Sequence, residues 1–370
     1  MIYFDNAATS PLLPEVKQFI TRHFNFYGNP SSLHSKGYQA KELLENARNT
    51  IASCINAKPE DIYFVSGGTE ADVQALYTGS MKSGNILISS FEHPAISANA
   101  QYMFFDVEKI FPNISGIINA NEFGEMLNSI NFASIMHVNN EIGSIQPIKE
   151  MSKIAHEKNC VIHSDMTQSM GHIPIDIKDI GVDMATASAH KFGGPRGIGF
   201  LYCNSEKNIF PYELLKGGLQ ERGYRAGTEN VIGAAAMALA LKNSVDNLEK
   251  NTNKVREMRS LILEGLVQIS GVRLNGSMVD YVPGIINVSF KNLRGDEIQS
   301  MLDDRGIAVS TGSACHSGVN TPSNTLVSIG VPNEYINGTI RISLSHMNTM
   351  NEAEDFIRSL TEVIEILRRY

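Results

Sequence analysis

The chain has 370 residues, 42% hydrophobic and 19% charged, with 31 Lys plus Arg against 39 Asp plus Glu and a net charge of −8. That is an ordinary globular composition, long enough for two domains, and without a clustered basic stripe no nucleic acid is expected as a direct partner. The four cysteines, Cys54, Cys160, Cys203 and Cys315, are scattered with no CxxC, which excludes a disulfide framework or a zinc knuckle and points to a reduced, cytoplasmic protein.

The opening "MIYFDNAATSPLLPEV" has no basic leader followed by an apolar run and does not read as a signal peptide. Apolar runs then alternate with helical patterns. "DIYFVS" leads through glycines to "TEADVQALYTG", "NILISS" to "EHPAISANAQYM", and "ASIMHVNN" to "IKEMSKIAHEKN"; "CVIHSD", "VDMATASA" and "GIGFLYC" follow. The pattern predicts an α/β fold, a mostly parallel sheet with helices on both faces and ligands where strand C-termini meet loops. After "RAGTEN" one long helical region is expected from about Val231 to Ile269. It contains "GAAAMALAL", which is too short to span a bilayer, so no membrane is expected as a partner. A smaller domain follows: strand "GIINVSF", helix "GDEIQSMLDDRG", strand "IAVST", a Gly/Ser-rich loop, strand "TIRISLS", and an amphipathic helix from about Asn351 to Leu367.

Candidate chemistry sits at the strand ends. "SGGTEAD" places Gly68 and Thr69 where a strand gives way to a helix, an arrangement that can cradle a phosphate; the plainer reading is a turn with Thr69 as N-cap and Asp72 completing a capping box. It is neither a P-loop nor GxGxxG, which argues against a nucleotide. Asp165 ends a strand, with Gln168 in the turn, and can pair with a cationic ring nitrogen. His156, Cys160 and His163 invite a metal reading, but Cys160 and His163 lie three apart on a strand and face opposite sides, so no metal is expected. His93, ahead of Pro94, offers a flat ring to stack on a cofactor. Lys191, in "SAHKFGGPRGIG", opens a glycine-lined turn. An ordinary lysine is only about 0.04% neutral at pH 7, so a nucleophilic role demands desolvation or cationic neighbours. Cys315 lies in a glycine- and serine-rich loop beside His316; an ordinary thiol is about 3% thiolate at pH 7. Arg341 is a lone cation in an alternating strand, suited to bidentate capture of a carboxylate. Together these features ask for one ligand with a phosphate, a protonatable ring nitrogen, a flat face and an aldehyde. Pyridoxal 5′-phosphate (PLP) has all four.

The motifs "YFDNAATSP", "GNPSSLH", "SGGTEAD", "EHPA", "NNEIG", "HSDMTQ", "SAHKFGGPRGIG", "GGLQERGYRAGTEN", "GSAC" and "IRISL" follow one another in this order. In them the chain resembles the cysteine desulfurases, the NifS/IscS-like group of fold-type I PLP enzymes of the class V aminotransferase kind. The resemblance implies a large PLP-binding domain over residues 13–248, built on a mostly parallel seven-stranded sheet flanked by helices. A smaller α+β domain would comprise residues 1–12 and 249–370 and carry the cysteine loop. It implies that Lys191 forms the imine with PLP, Asp165 pairs with the pyridinium nitrogen, Gln168 bonds the phenolic oxygen and His93 stacks on the ring. Gly68, Thr69, Ser188 and His190 would hold the phosphate, and Thr228 would reach the phosphate of the neighbouring subunit, which makes a homodimer. Arg341, Asn140 and Asn29 would hold the substrate carboxylate. Cys315 would take sulfur from L-cysteine, leaving alanine, and pass it to an acceptor in iron–sulfur assembly or tRNA thiolation. Val73 and His316 depart from the family's usual residues. A selenocysteine lyase or an aminotransferase of the same fold is the alternative activity. Lys191 weighs against a non-catalytic scaffold.

Overall fold

The computed structural model describes residues 1–104, 106–311 and 322–369. A short strand, β1 (Ile2–Tyr3), opens the chain. The apolar runs that follow become β2 (Ile62–Val65), β3 (Asn85–Ser89), β4 (Asp106–Ile110), β5 (Phe132–Ser134), β6 (Val161–Asp165), β7 (Met184–Ser188) and β8 (Gly199–Cys203). They form one seven-stranded sheet in the order β2-β8-β7-β6-β5-β3-β4. Neighbours pair in parallel except at β8, which is antiparallel to both β2 and β7. The mostly parallel sheet is therefore as expected.

Alternation along each strand splits its side chains between two layers. Ile62, Phe64, Leu87, Phe200 and Tyr202 join one apolar cluster with the helices Ser35–Cys54 and Val231–Asp246. Tyr63, Val65, Ile86, Ile88, Leu201 and Cys203 join another with the helices Gly68–Ser80 and Pro94–Met103. A sheet covered on both faces needs such nearly continuous apolar strands.

A third cluster draws on Phe4 and on residues from Val255 to Ile364. Its strands are β9 (Val272–Asn275), β10 (Ile285–Phe290), β11 (Ile307–Ala308), β12 (Ser310–Thr311) and β13 (Thr339–Ser343). Four of them form an antiparallel sheet in the order β12-β13-β10-β9, and β11 pairs in parallel with β1. Beyond β1 the N-terminal segment runs beside β13, with Asp5 bridging to Ser343.

Two expected elements are divided. The helical region expected after "RAGTEN" consists of two helices, Val231–Asp246 and Leu248–Leu266, separated at Asn247. The Asn247 side chain donates to the Asn243 carbonyl at 2.9 Å and competes with the backbone ladder. "IAVST" is two short strands around Val309, because β11 and β12 pair with different partners.

Candidate active site

The turn between β2 and the helix Gly68–Ser80 builds a cradle. The helix starts at Gly68, after Gly67, with no side-chain cap, so the expected Thr69 N-cap and capping box are absent. The first N–H groups of a helix lack intrahelical acceptors and carry partial positive charge. They face a cavity of about 370 Å³ lined by Thr9, Ser66, Gly67, Gly68, Thr69, Glu70, Ser188, His190, Arg196 and Gly197, with the Glu70 carboxylate paired to Arg225 and accepting from Ser66 N. Asp72, instead of capping, is buried behind the cradle, where desolvation and the nearby charges of Asp165 and Glu92 raise its carboxyl well above the ordinary range.

Beside the cradle, β7 ends at Ser188 and a 3₁₀ turn, Ala189–Lys191, presents the lysine. Lys191 Nζ donates to the carbonyls of Ala7 and Ala8 at 2.7 and 2.9 Å. The Lys191 carbonyl accepts from Ser10 Oγ at 2.8 Å and lies 3.0 Å from His172 Nε2. The N-terminal segment thus grips the lysine at both ends, and Thr9 adds a 3.1 Å contact between Oγ1 and His190 Nδ1. Burial and the charges of Lys191 and Arg196 push His190 down to about 4, so its ring is neutral.

Asp165 ends β6, where Oδ1 accepts from Thr167 N at 2.8 Å. Gln168 Nε2 donates to the Ala7 carbonyl at 2.9 Å, the oxygen that also takes Lys191 Nζ. His93 is the N-cap of the helix Pro94–Met103, and its Nδ1 accepts from Ala95 N at 3.1 Å. Burial lowers its pKa; the Asp165 charge acts upward on it and the Lys191 charge downward. Both charges thus act on the His93 ring. Thr167 Oγ1 is buried with no hydrogen-bond partner, and a Cβ on Gly68 would sit 3.3 Å from it.

Arg341 is buried at 6% exposure on β13. Its Nη1 donates to the Asn140 carbonyl at 3.0 Å and its Nη2 to Asp5 Oδ1 at 2.9 Å. Asn29 lies on an exposed turn, with Oδ1 accepting from Ser31 N. Thr228 is exposed at a crevice of about 140 Å³ shared with Ser66, Gly197 and Arg225. Cys315 falls outside the described residues. Burial pushes the thiols of Cys54 and Cys160 up to about 11 and about 12, and raises Cys203 as well, so none of these three is a thiolate near neutral pH.

This donor set fits PLP. The uncapped helix end and the hydroxyls of Thr9, Ser66 and Ser188 suit a dianionic phosphate, Asp165 suits a ring N–H, and Thr167 supplies an unused buried hydroxyl. The sequence offers Lys191, Asp165, Gln168, His93, Arg341 and the cradle as candidates, and the structure joins Lys191 and Gln168 at the Ala7 carbonyl. Sequence reasoning misses Asp5, Ala7, Ala8 and Ser10, although "YFDNAATSP" is visible as a motif. Two of these four act through backbone carbonyls, which carry no residue-type signal.

The family model for aminotransferase class V matches residues 2–356. A protein named cysteine desulfurase IscS from Methanosarcina thermophila is 36% identical over 379 residues, covering 99% of this chain and 93% of that one. Another of that name, from Dictyoglomus turgidum, is 39% identical over 380 residues, covering 99% and 95%. A solved structure of a NifS-like protein superposes with a TM-score of 0.93 at 32% identity, covering 99% of this chain and 100% of that one. The chain belongs to the class V aminotransferase family, as one of its PLP-dependent cysteine desulfurases.

Proposed function

We propose that this protein converts L-cysteine to L-alanine, captures the sulfur as a persulfide on Cys315, and hands it to an acceptor protein of iron–sulfur assembly or tRNA thiolation. The observation that carries the reading is that Lys191 and Gln168 converge on the Ala7 carbonyl, next in sequence to residues of the cradle at an uncapped helix end. Gly68, Thr69, Ser188 and His190 hold the PLP phosphate. Asp165 keeps a proton on the ring nitrogen, Gln168 orients the phenolic oxygen, and neutral His93 covers the ring face. When bound, PLP supplies a protonated ring that takes up the electron pair left at the substrate Cα.

Lys191 Nζ takes the proton from the substrate Cα, and the Ala7 and Ala8 carbonyls accept from the resulting ammonium. Arg341, with Asn140 and Asn29, holds the substrate carboxylate. The Cys315 thiolate attacks the substrate sulfur: an S–S bond forms, the Cβ–S bond breaks, and its electron pair stays with the carbon, which takes up a proton and leaves in alanine. No outside oxidant or reductant is required.

The division into a large domain, 13–248, and a small one, 1–12 with 249–370, is supported by the residues each apolar cluster draws on. A homodimer is supported by the exposed Phe210, Leu215 and Leu219 in the segment that carries Thr228. A cytoplasmic setting is supported by three free cysteines among the described residues. No helix among those residues is long and apolar enough to cross a membrane.

The test is mass spectrometry of the holoenzyme after incubation with L-cysteine. One added sulfur on the Cys315 peptide and alanine in solution are expected, with neither in Lys191→Ala. Full sulfur release from Cys315→Ala overturns the reading.

A further inference from the structure

Arg341 has five N–H donors in a rigid fork. Nη1 is spent on the Asn140 carbonyl and Nη2 on Asp5, while Nε is buried with no hydrogen-bond partner. A buried donor left unmade is costly, so Nε is a donor that an incoming carboxylate can use, together with the second N–H of Nη2 on the same side of the fork. Asp5 takes Nη2, the nitrogen that flanks Nε. Its side chain is 23% exposed and that of Arg341 7%, so their pairing is screened less than a surface contact.

Asp5 cannot drift. Ser343 N donates to the Phe4 carbonyl at 2.7 Å and Asn6 N to the Ser343 carbonyl at 3.3 Å, which locks the segment in register beside β13 two residues from Arg341. Opposite Arg341 in the sheet stand Asn287 on β10 and Ser310 on β12. Asn287 Oδ1 accepts from Asn275, and its Nδ2 donates to the Glu141 carbonyl. Neither bond spends a charge on the guanidinium. Two residues beyond Asp5, the Ala7 carbonyl takes both Lys191 Nζ and Gln168 Nε2.

We propose that Asp5 is a positioning residue for substrate capture: it holds the Arg341 guanidinium in the plane in which it receives the carboxylate of the amino acid, on the same segment that seats Lys191. The proposal rests on the reading of Arg341 as the carboxylate-binding residue. Without Asp5 the long side chain regains rotamer freedom and must be ordered anew at each binding event.

The experiment uses the full-chain holoenzyme. In Asp5→Asn, KM for L-cysteine rises roughly tenfold, the scale of one charge-assisted hydrogen bond, with kcat close to that of the parent. The dissociation constant for L-alanine, read from the cofactor's absorbance without turnover, rises by the same factor. Asp5→Glu, which restores the charge, recovers most of both. In an Arg341→Lys background Asp5→Asn adds nothing, since the geometry it protects is already gone. A KM that falls or does not change in Asp5→Asn overturns the proposal, as does the same increment with and without Arg341. A loss of kcat and thermal midpoint with KM untouched marks a merely structural residue and overturns it too. If Arg341→Lys alone leaves KM unchanged, the carboxylate reading of Arg341 is what fails, and the proposal falls with it.

Discussion

Glu92, next to His93, shows how single residues set the electrostatics of this site. Its Oε1 accepts from Ser89 Oγ and from Met136 N, while Oε2 is buried without a partner. Burial pushes its carboxyl up from an ordinary 4.5 to about 8, and the charge of Asp165 adds to the rise. Between those two values the folded chain holds a proton that the unfolded chain has lost. Stability therefore falls as pH rises through that window, by at most about 1.4 kcal/mol per pH unit for one group, and the contribution is constant above it. Glu92→Gln keeps the acceptor oxygen and removes the titration. The variant is expected to gain on the parent as pH rises from 5 to 8 and to hold a constant difference beyond, read from urea midpoints at each pH; a parallel offset at all pH values contradicts it. Asp72, raised by the same causes, leaves a residual slope in both proteins. Neither buried acid could be assigned its environment from sequence. Lys191, Asp165 and His93 were legible because glycine turns and strand ends advertise a cleft. Glu92 and Asp72 stand in the same strand-end motifs, "EHPA" and "SGGTEAD", but nothing in those strings says that their carboxyls are buried; tertiary packing decides it.

At the scale of elements, the cradle depends on how closely β8 approaches the turn before the helix Gly68–Ser80. A Cβ on Gly199 would lie 2.5 Å from the Ala187 carbonyl oxygen and 2.9 Å from the Gly67 backbone, contacts that real side chains do not make. Gly199→Ala must therefore displace β7 or the turn, at a cost of about 1–3 kcal/mol for overpacking. Because Gly67 borders the cradle, part of that cost falls on cofactor binding. Titration of the apoprotein with PLP is expected to show affinity reduced by tenfold or more at little change in helix content; unchanged affinity would mean the strand absorbs the methyl elsewhere. Gly197, two residues earlier, has open space at its Cβ but φ +78°, so its glycine answers to backbone conformation instead. The string "GGPRGIG" could not separate these two reasons. The alternating strand and helix signals were legible because burial on both sheet faces forces apolar runs. The break at Asn247 and the split at Val309 were not, since the choice of strand partner and a single side-chain hydrogen bond decide them.

The two cores meet where the chain's ends return. The N-terminal segment leaves Phe4 in the smaller cluster, passes Asp5 to Arg341, grips Lys191 from Ala7 to Ser10, and enters the larger cluster at Leu13. The segment around Thr228 is fastened just as firmly. Glu221 and Arg222 take left-handed backbone at φ +42° and +58°, and a buried bidentate pair from Arg48 to Glu221 at 2.7 and 2.8 Å holds the turn. Strain of this kind persists only where the surroundings over-determine it. Leu219, just before this turn, is 88% exposed, and Thr228, just after it, is exposed as well. Under the proposed homodimer, an exposed hydroxyl here is available to a second copy's site. The consequence is testable by mixing two impaired variants. Under the proposed function, Lys191→Ala lacks the reactive amine, and Thr228→Ala lacks the hydroxyl that would reach the neighbour's phosphate. In a hybrid dimer the Thr228→Ala subunit keeps its own Lys191 and receives an intact Thr228 from the Lys191→Ala subunit, so one of its two sites is whole. Random reassortment makes half the dimers hybrids and about a quarter of all sites complete. Sulfur release should therefore rise on mixing above the mean of the separate variants and scale with the hybrid fraction. If Thr228 served its own subunit, no hybrid site would be complete, and mixing would yield no more than the average of the two.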